Sequence, residues 1–194
     1  MAINKNKPGV TNATMAQSPD MLPVIYAGND IKVGMGDIAV SRAPDLLSII
    51  GLGSCVGVAL YYPKEHIGGL AHIMLPDSSK SRNTTSREKF ADTGLPILLE
   101  RMKRAGADPM WMTARLIGGA SMFKAATGMP GAVSPSGMFN IGENNVAACR
   151  EFLKKERIKV MGEEVLGNTG RTMRFDLNTG RIRVKYADGT GLEL

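Results

Sequence analysis

Val58-Ala59-Leu60-Tyr61-Tyr62-Pro63-Lys64-Glu65-His66-Ile67-Gly68-Gly69-Leu70-Ala71-His72 is the stretch on which the fold turns. Two apolar runs, residues 58–62 and 67–75, flank the polar tetrapeptide Pro63-Lys64-Glu65-His66, which reads as a four-residue type I turn. The pattern predicts a β-hairpin. If Tyr62 pairs with Ile67, His72 lies opposite Gly57 on the face that also carries Cys55, one diagonal step of roughly 7–8 Å away. Gly57 has no side chain, so the imidazole could lean across it. The placement rests on parity, because a loop with an odd number of residues would turn His72 to the other face.

Working upstream, residues 46–50 read as a short apolar strand running into Gly51-Leu52-Gly53-Ser54-Cys55-Val56-Gly57. A cysteine among glycines sits where the backbone can turn sharply and approach a ligand. Amide N–H groups at such a turn, around Gly53, Ser54 and Cys55, can point at a developing oxyanion. Cys55, with His72 seventeen residues later, therefore reads as a thiol nucleophile with its base. The ordinary alternative is burial, since cysteine packs well and a histidine on an apolar strand is often a satisfied core residue. The glycine spacing is not a dinucleotide fingerprint, and a strand rather than a helix follows it.

Five motifs in order carry a family resemblance: residues 51–57, Ala71-His72-Ile73-Met74-Leu75-Pro76, Lys89-Phe90-Ala91-Asp92, Gly118-Gly119-Ala120-Ser121-Met122-Phe123 and Asn140-Ile141-Gly142. Together they resemble CheD, the chemoreceptor glutamine deamidase family, over roughly residues 31–186. The resemblance implies a layered fold of helices over β-sheets, Cys55 as the catalytic cysteine and His72 as its histidine. It also implies methyl-accepting chemotaxis receptors as substrates and association with a CheC-type phosphatase. The implied chemistry is hydrolysis of a glutamine side-chain amide through a thioester, with His72 taking the thiol proton or stabilising the thiolate as imidazolium. One position departs from the family pattern. The family usually has a threonine six residues before the cysteine, as the third member of its catalytic set, and this chain has Ile49. Isoleucine has no hydrogen-bonding group, so the group that orients His72 is left unassigned, and a noncatalytic or weakly catalytic binding module stays open beside the enzyme.

Composition bounds the remainder. The chain has 194 residues, 43% hydrophobic and 22% charged, enough for one sizeable core. Residues 1–28 read as a flexible tail without a signal-peptide core, and residues 29–194 as a single domain. No run of eighteen apolar residues occurs, so membrane insertion is not expected and a cytoplasmic location is. Two cysteines give no disulfide framework, and no clustered Cys/His spacing suggests a metal; no cofactor is expected. His66 falls in the hairpin turn and reads as solvated. The net charge of +6 invites a nucleic-acid reading, but residues 80–104 mix seven basic with three acidic residues and one aromatic, so none is expected. A mildly basic surface suits acidic helical receptor segments equally well.

Elsewhere, helix and strand signals alternate. Leu95, Leu98, Leu99 and Met102 predict an amphipathic helix with Pro96 in its first turn and Gly106 as its stop. Residues 111–117 read as a strand, and residues 145–156 as a helix with Val146, Cys149 and Leu153 on one buried face. Residues 158–165 follow as a strand. A second hairpin turns at Asn178-Thr179-Gly180 between alternating residues Met173, Phe175, Leu177 and Ile182, Val184, Tyr186. The sum is an α/β or α+β sandwich. Residues 124–139, rich in glycine and proline, read as a surface loop, either a tolerated insertion or a lid.

Overall fold

A computed structural model describes residues 28–81, 86–121 and 141–194. The expected loop at 124–139 lies outside them, as does the expected tail at 1–28 apart from Gly28. In chain order the elements are β1 (Asp30–Lys32), β2 (Ile38–Arg42), β3 (Leu46–Leu52), β4 (Val56–Tyr62), β5 (Ile67–Ile73), α1 (Ala91–Arg104), β6 (Thr113–Gly118), α2 (Ile141–Lys155), β7 (Lys159–Val165), β8 (Arg171–Asp176), β9 (Ile182–Tyr186) and β10 (Gly191–Glu193). The strands form two five-stranded sheets, ordered β2-β5-β4-β6-β7 and β1-β3-β8-β9-β10. The fold is a mixed α/β sandwich with the two helices on one side.

The central sheet, built around β4 and β5, is covered twice. Val56, Val58, Leu60, Ile67, Ala71 and Ile73 face α1 and α2. Ala59, Tyr61 and Leu70 face the opposite way, against Leu47, Ile49, Met173 and Phe175 of the outer sheet. Every residue of β4 and β5 is consequently buried, which is why both read as continuous apolar runs without alternation. Each fully buried Leu or Ile of this layer contributes about 1.5–3 kcal/mol relative to an exposed one. The outer sheet has one wet face, and β9 alternates accordingly, with Ile182 and Val184 buried and Arg183 and Lys185 exposed.

The hairpin register is the one parity gave: Tyr62 pairs with Ile67 and Gly57 with His72. β8 and β9 pair antiparallel, as the second hairpin requires. β6 and β7 run parallel, with α2 as the crossover between them.

Three boundaries differ from expectation. α1 begins at Ala91, whose N–H donates to the Leu75 carbonyl, so Pro96 falls in the second turn and leaves the Asp92 carbonyl without its helical donor. Trp111 is not in a strand. Asp108 caps a 3-10 turn over Pro109–Trp111 by accepting from the Met110 N–H at 3.0 Å, which delays β6 to Thr113 and leaves Trp111 exposed. α2 begins at Ile141 rather than 145, which puts Gly142 and Asn145 on its buried stripe with Val146, Cys149 and Leu153.

Candidate active site

Cys55 occupies the turn where the chain leaves the outer sheet at the end of β3 and enters the central sheet at β4. The pairing of β3 with β8 shifts register between Ile49 and Leu52, and the bulged residues Ile50 and Gly51 are exposed, Gly51 at a φ of 81°. A bulge at a strand end re-aims the chain, here from one layer into the next.

Three hydrogen bonds hold the carbonyls of the turn. Ala120 N–H donates to the Gly53 carbonyl at 2.8 Å, Asn145 Nδ2 to the Ser54 carbonyl at 3.0 Å, and Gly119 N–H to the Cys55 carbonyl at 2.8 Å. Gly118, at a φ of 115°, makes that approach possible, because a Cβ there would run into the Cys55 carbonyl. In a trans peptide the C=O and N–H point in opposite directions. With the Gly53 and Ser54 carbonyls drawn inward, the N–H groups of Ser54 and Cys55 are directed away from the 118–120 loop and the helix α2 that hold them. Among the described residues neither N–H has an acceptor.

His72 lies on the face of β5 that looks toward the outer sheet, the same side as Leu70. Cys55 packs partly against that same apolar layer. The imidazole is 3% exposed, and neither ring nitrogen makes a hydrogen bond of good geometry to any of the described residues. Burial pushes its pKa down, while the nearby backbone of Val33 and Gly34 and the Asp37 carboxylate push it back up. The strand itself is gripped by the same loop, since His72 N–H donates to Asp37 O at 3.0 Å and Gly36 N–H to His72 O at 3.1 Å. Burial also pushes the half-exposed Cys55 thiol up, and among the described residues no cation opposes the shift. Both shifts favour the neutral forms, a thiol and an uncharged imidazole.

The space above Gly57 is not open to the ring. Met173, Ile49 and Leu52 fill it, so a Cβ on Gly57 would strike the Met173 sulfur. The reading in which the imidazole leans across Gly57 is thus corrected: the outer sheet closes over β4 and presses its apolar side chains there. Ile49 is fully buried in this layer and paired with Met173. Ser48 points the other way, donating to Asp30 Oδ1 at 2.6 Å.

Two parts of the site escaped the sequence reading. The loop 33–37 could have been suspected from Gly34-Met35-Gly36-Asp37, a turn-like run beside a strand signal. Asn145 had a clearer signal, a carboxamide one residue before Val146 and four before Cys149 on an apolar helical stripe. His66 is exposed, with Nδ1 2.9 Å from the Tyr61 hydroxyl, and takes no part in the site. Among the described residues no group of three or more His, Cys, Asp or Glu comes together to hold a metal ion.

Comparison with known proteins bears on this arrangement. A family model described as CheD chemotactic sensory transduction matches residues 74–186. A protein of Desulforamulus reducens named "Probable chemoreceptor glutamine deamidase CheD" is 43% identical over 80% of this chain and 90% of its own. The chain belongs to the CheD family. Relatives with the same name in Caldanaerobacter subterraneus subsp. tengcongensis and Clostridium botulinum are 45% and 44% identical, each over 80% of this chain and 91% and 92% of their own. The CheD family model begins at Met74, two residues beyond His72, so its matched stretch holds the Gly118-Gly119 loop and Asn145 but neither Cys55 nor His72.

Proposed function

We propose that this chain is a protein-glutamine deamidase that converts glutamine side chains of methyl-accepting chemotaxis receptors to glutamate, as part of chemotactic adaptation in the cytoplasm. The activity class is supported by CheD relatives 43–45% identical over 80% of the chain. The observation that carries the site is the pairing of His72 with Gly57, which sets the imidazole on the face of Cys55 two residues along from it.

The neutral resting pair favours general-base catalysis over a preformed thiolate–imidazolium pair. His72 removes the thiol proton as the Cys55 sulfur attacks the carboxamide carbon. The tetrahedral oxyanion accepts hydrogen bonds from the Ser54 and Cys55 N–H groups, which the turn directs outward while Ala120 N–H holds the Gly53 carbonyl and Asn145 the Ser54 carbonyl. Protonated His72 then gives its proton to the departing nitrogen, and ammonia leaves. Water attacks the resulting thioester, again with His72 as base, releasing glutamate and restoring the thiol. The Val33 and Gly34 carbonyls beside the ring are the polar groups available to steady it where Ile49 offers none.

That missing hydroxyl at Ile49 favours a second reading, a weakly catalytic or noncatalytic module that regulates a CheC-type phosphatase or receptors by binding. Intact-mass measurement of receptor cytoplasmic segments, with and without the protein, separates the two. Mass gains of amide-to-acid size at defined glutamines support the deamidase. Unchanged masses alongside saturable binding would remove it in favour of the module.

A further inference from the structure

Asn145 is fully buried on α2 and donates both carboxamide hydrogens to backbone carbonyls, Ser54 O at 3.0 Å and Met74 O at 2.9 Å. Two carbonyl acceptors fix which end of the amide is nitrogen, because only the NH₂ can serve both. Its Oδ1 is buried and has no partner among the described residues. The first acceptor belongs to the peptide whose other end is the Cys55 N–H, and the second lies two residues beyond His72 on the same chain segment. One side chain thus joins the cysteine turn to the end of the histidine strand.

We propose that Asn145 is a positioning residue for the oxyanion site: it aims and polarises the Ser54–Cys55 peptide so that the Cys55 N–H donates to the developing oxyanion. The inference rests on the deamidase reading and deepens it. A hydrogen bond to a peptide oxygen draws electron density from the nitrogen and makes the N–H a stronger donor, an effect enhanced away from water. Ala120 N–H does the same for the neighbouring Gly53–Ser54 peptide, but removing a backbone N–H takes a proline, which would also reshape the loop. Asn145 is the half of the device that can be tested.

Two probes of the same thiol separate aiming from bracing. Acylation of Cys55 by p-nitrophenyl acetate passes through a tetrahedral oxyanion, which collapses by expelling p-nitrophenolate and leaves a thioester. Alkylation by iodoacetamide displaces iodide at a saturated carbon and forms no oxyanion. Both use the same sulfur and need its proton removed, so at one pH the ratio of their rates, measured by mass at Cys55, factors out how readily that thiol is deprotonated.

In Asn145→Asp at neutral pH the ratio should fall about tenfold, less than the loss of a whole oxyanion donor, which costs 10²–10³. It should recover as pH falls and the new carboxyl gains a proton to donate. Asn145→Ala should show a smaller fall and no recovery, and it carries the test if the carboxylate prevents folding. Acylation and alkylation slowing by the same factor in folded variants would make Asn145 a mere brace and overturn the proposal. A ratio equal to wild type would overturn it as well. Neither probe is a glutamine, so a wild type that leaves receptor segments unchanged would sink the deamidase reading while this ratio still judges Asn145.

Discussion

Cys55 and Cys149 carry the same thiol in opposite settings. Cys149 sits mid-helix on the buried stripe of α2, completely enclosed by apolar side chains, and burial pushes its pKa up to about 12. Cys55 is half-exposed in a bulged turn between two sheets, flanked by outward N–H groups, and burial raises its pKa in the same direction. Thiol ionisation alone therefore does not distinguish a nucleophile here. Access and the surrounding donors are what set the two thiols apart. The sharpest way to break the comparison is to remove each sulfur. Cys55→Ala should abolish receptor deamidation with the unfolding midpoint little changed, and turnover persisting in that variant would end its assignment as nucleophile.

The next effect in size concerns His72. His72→Ala should lower the single-turnover rate on a receptor fragment by roughly 10²–10⁴, the range for loss of a positioned acid and base. The resting protonation states sharpen this further. Desolvation lowers the His72 pKa and raises that of Cys55, so the rate of Cys55 alkylation should keep climbing above pH 8.5, the ordinary cysteine value. His72→Ala should scarcely move that titration, because a neutral ring contributes no charge to it. A plateau near neutral pH in wild type, lost on substitution, would replace the general-base mechanism by a standing ion pair.

Much of this site was legible because strands count in twos. The tetrapeptide 63–66 fixes Tyr62 against Ile67, and parity then delivers His72 to the side of Cys55 without any tertiary information. What parity could not give was the layer above. Gly57 looked like an opening for the imidazole, yet Ile49 and Leu52 fold back over it from β3, and Met173, far along the chain on β8, closes the layer with no local cue in the sequence. Asn145 was half legible: its place on the apolar stripe predicts a buried carboxamide in need of partners, while their identity depends on how α2 packs. The misplaced start at Trp111 has a local cause that could have been weighed, since Asp108 before Pro109 is a capping signal competing with the strand pattern.

Replacing the other sulfur tests the converse. Cys149→Ala should leave deamidation within about twofold and cost about 1–2 kcal/mol of stability, because it removes a buried atom from a closed core and leaves a small void. For a chain of this size that corresponds to a fall in Tm of roughly 2–8 °C. Loss of activity without loss of stability would mean that the helix, not the turn, holds the reactive thiol.

The smallest expected effect is an alkaline one that only the enclosed cysteine should show strongly. A thiol in the unfolded chain ionises near pH 8.5, whereas Cys149 in the fold holds its proton to about pH 12. Between those values the folded state binds one more proton than the unfolded state, so stability falls as pH rises through this window. From pH 7.5 to pH 10 this group should remove about 1–2 kcal/mol. Cys55 acts in the same direction with a smaller share, since solvent reaches it. Other groups also contribute to alkaline unfolding, so the measurement is a difference of differences: the loss of unfolding free energy between pH 7.5 and pH 10 in wild type, less the loss in Cys149→Ala. A positive remainder of that size places the proton on the enclosed thiol. Equal losses in the two proteins would mean that Cys149 reaches solvent or a cation when it ionises, and the contrast between the two cysteines would then rest on the turn alone.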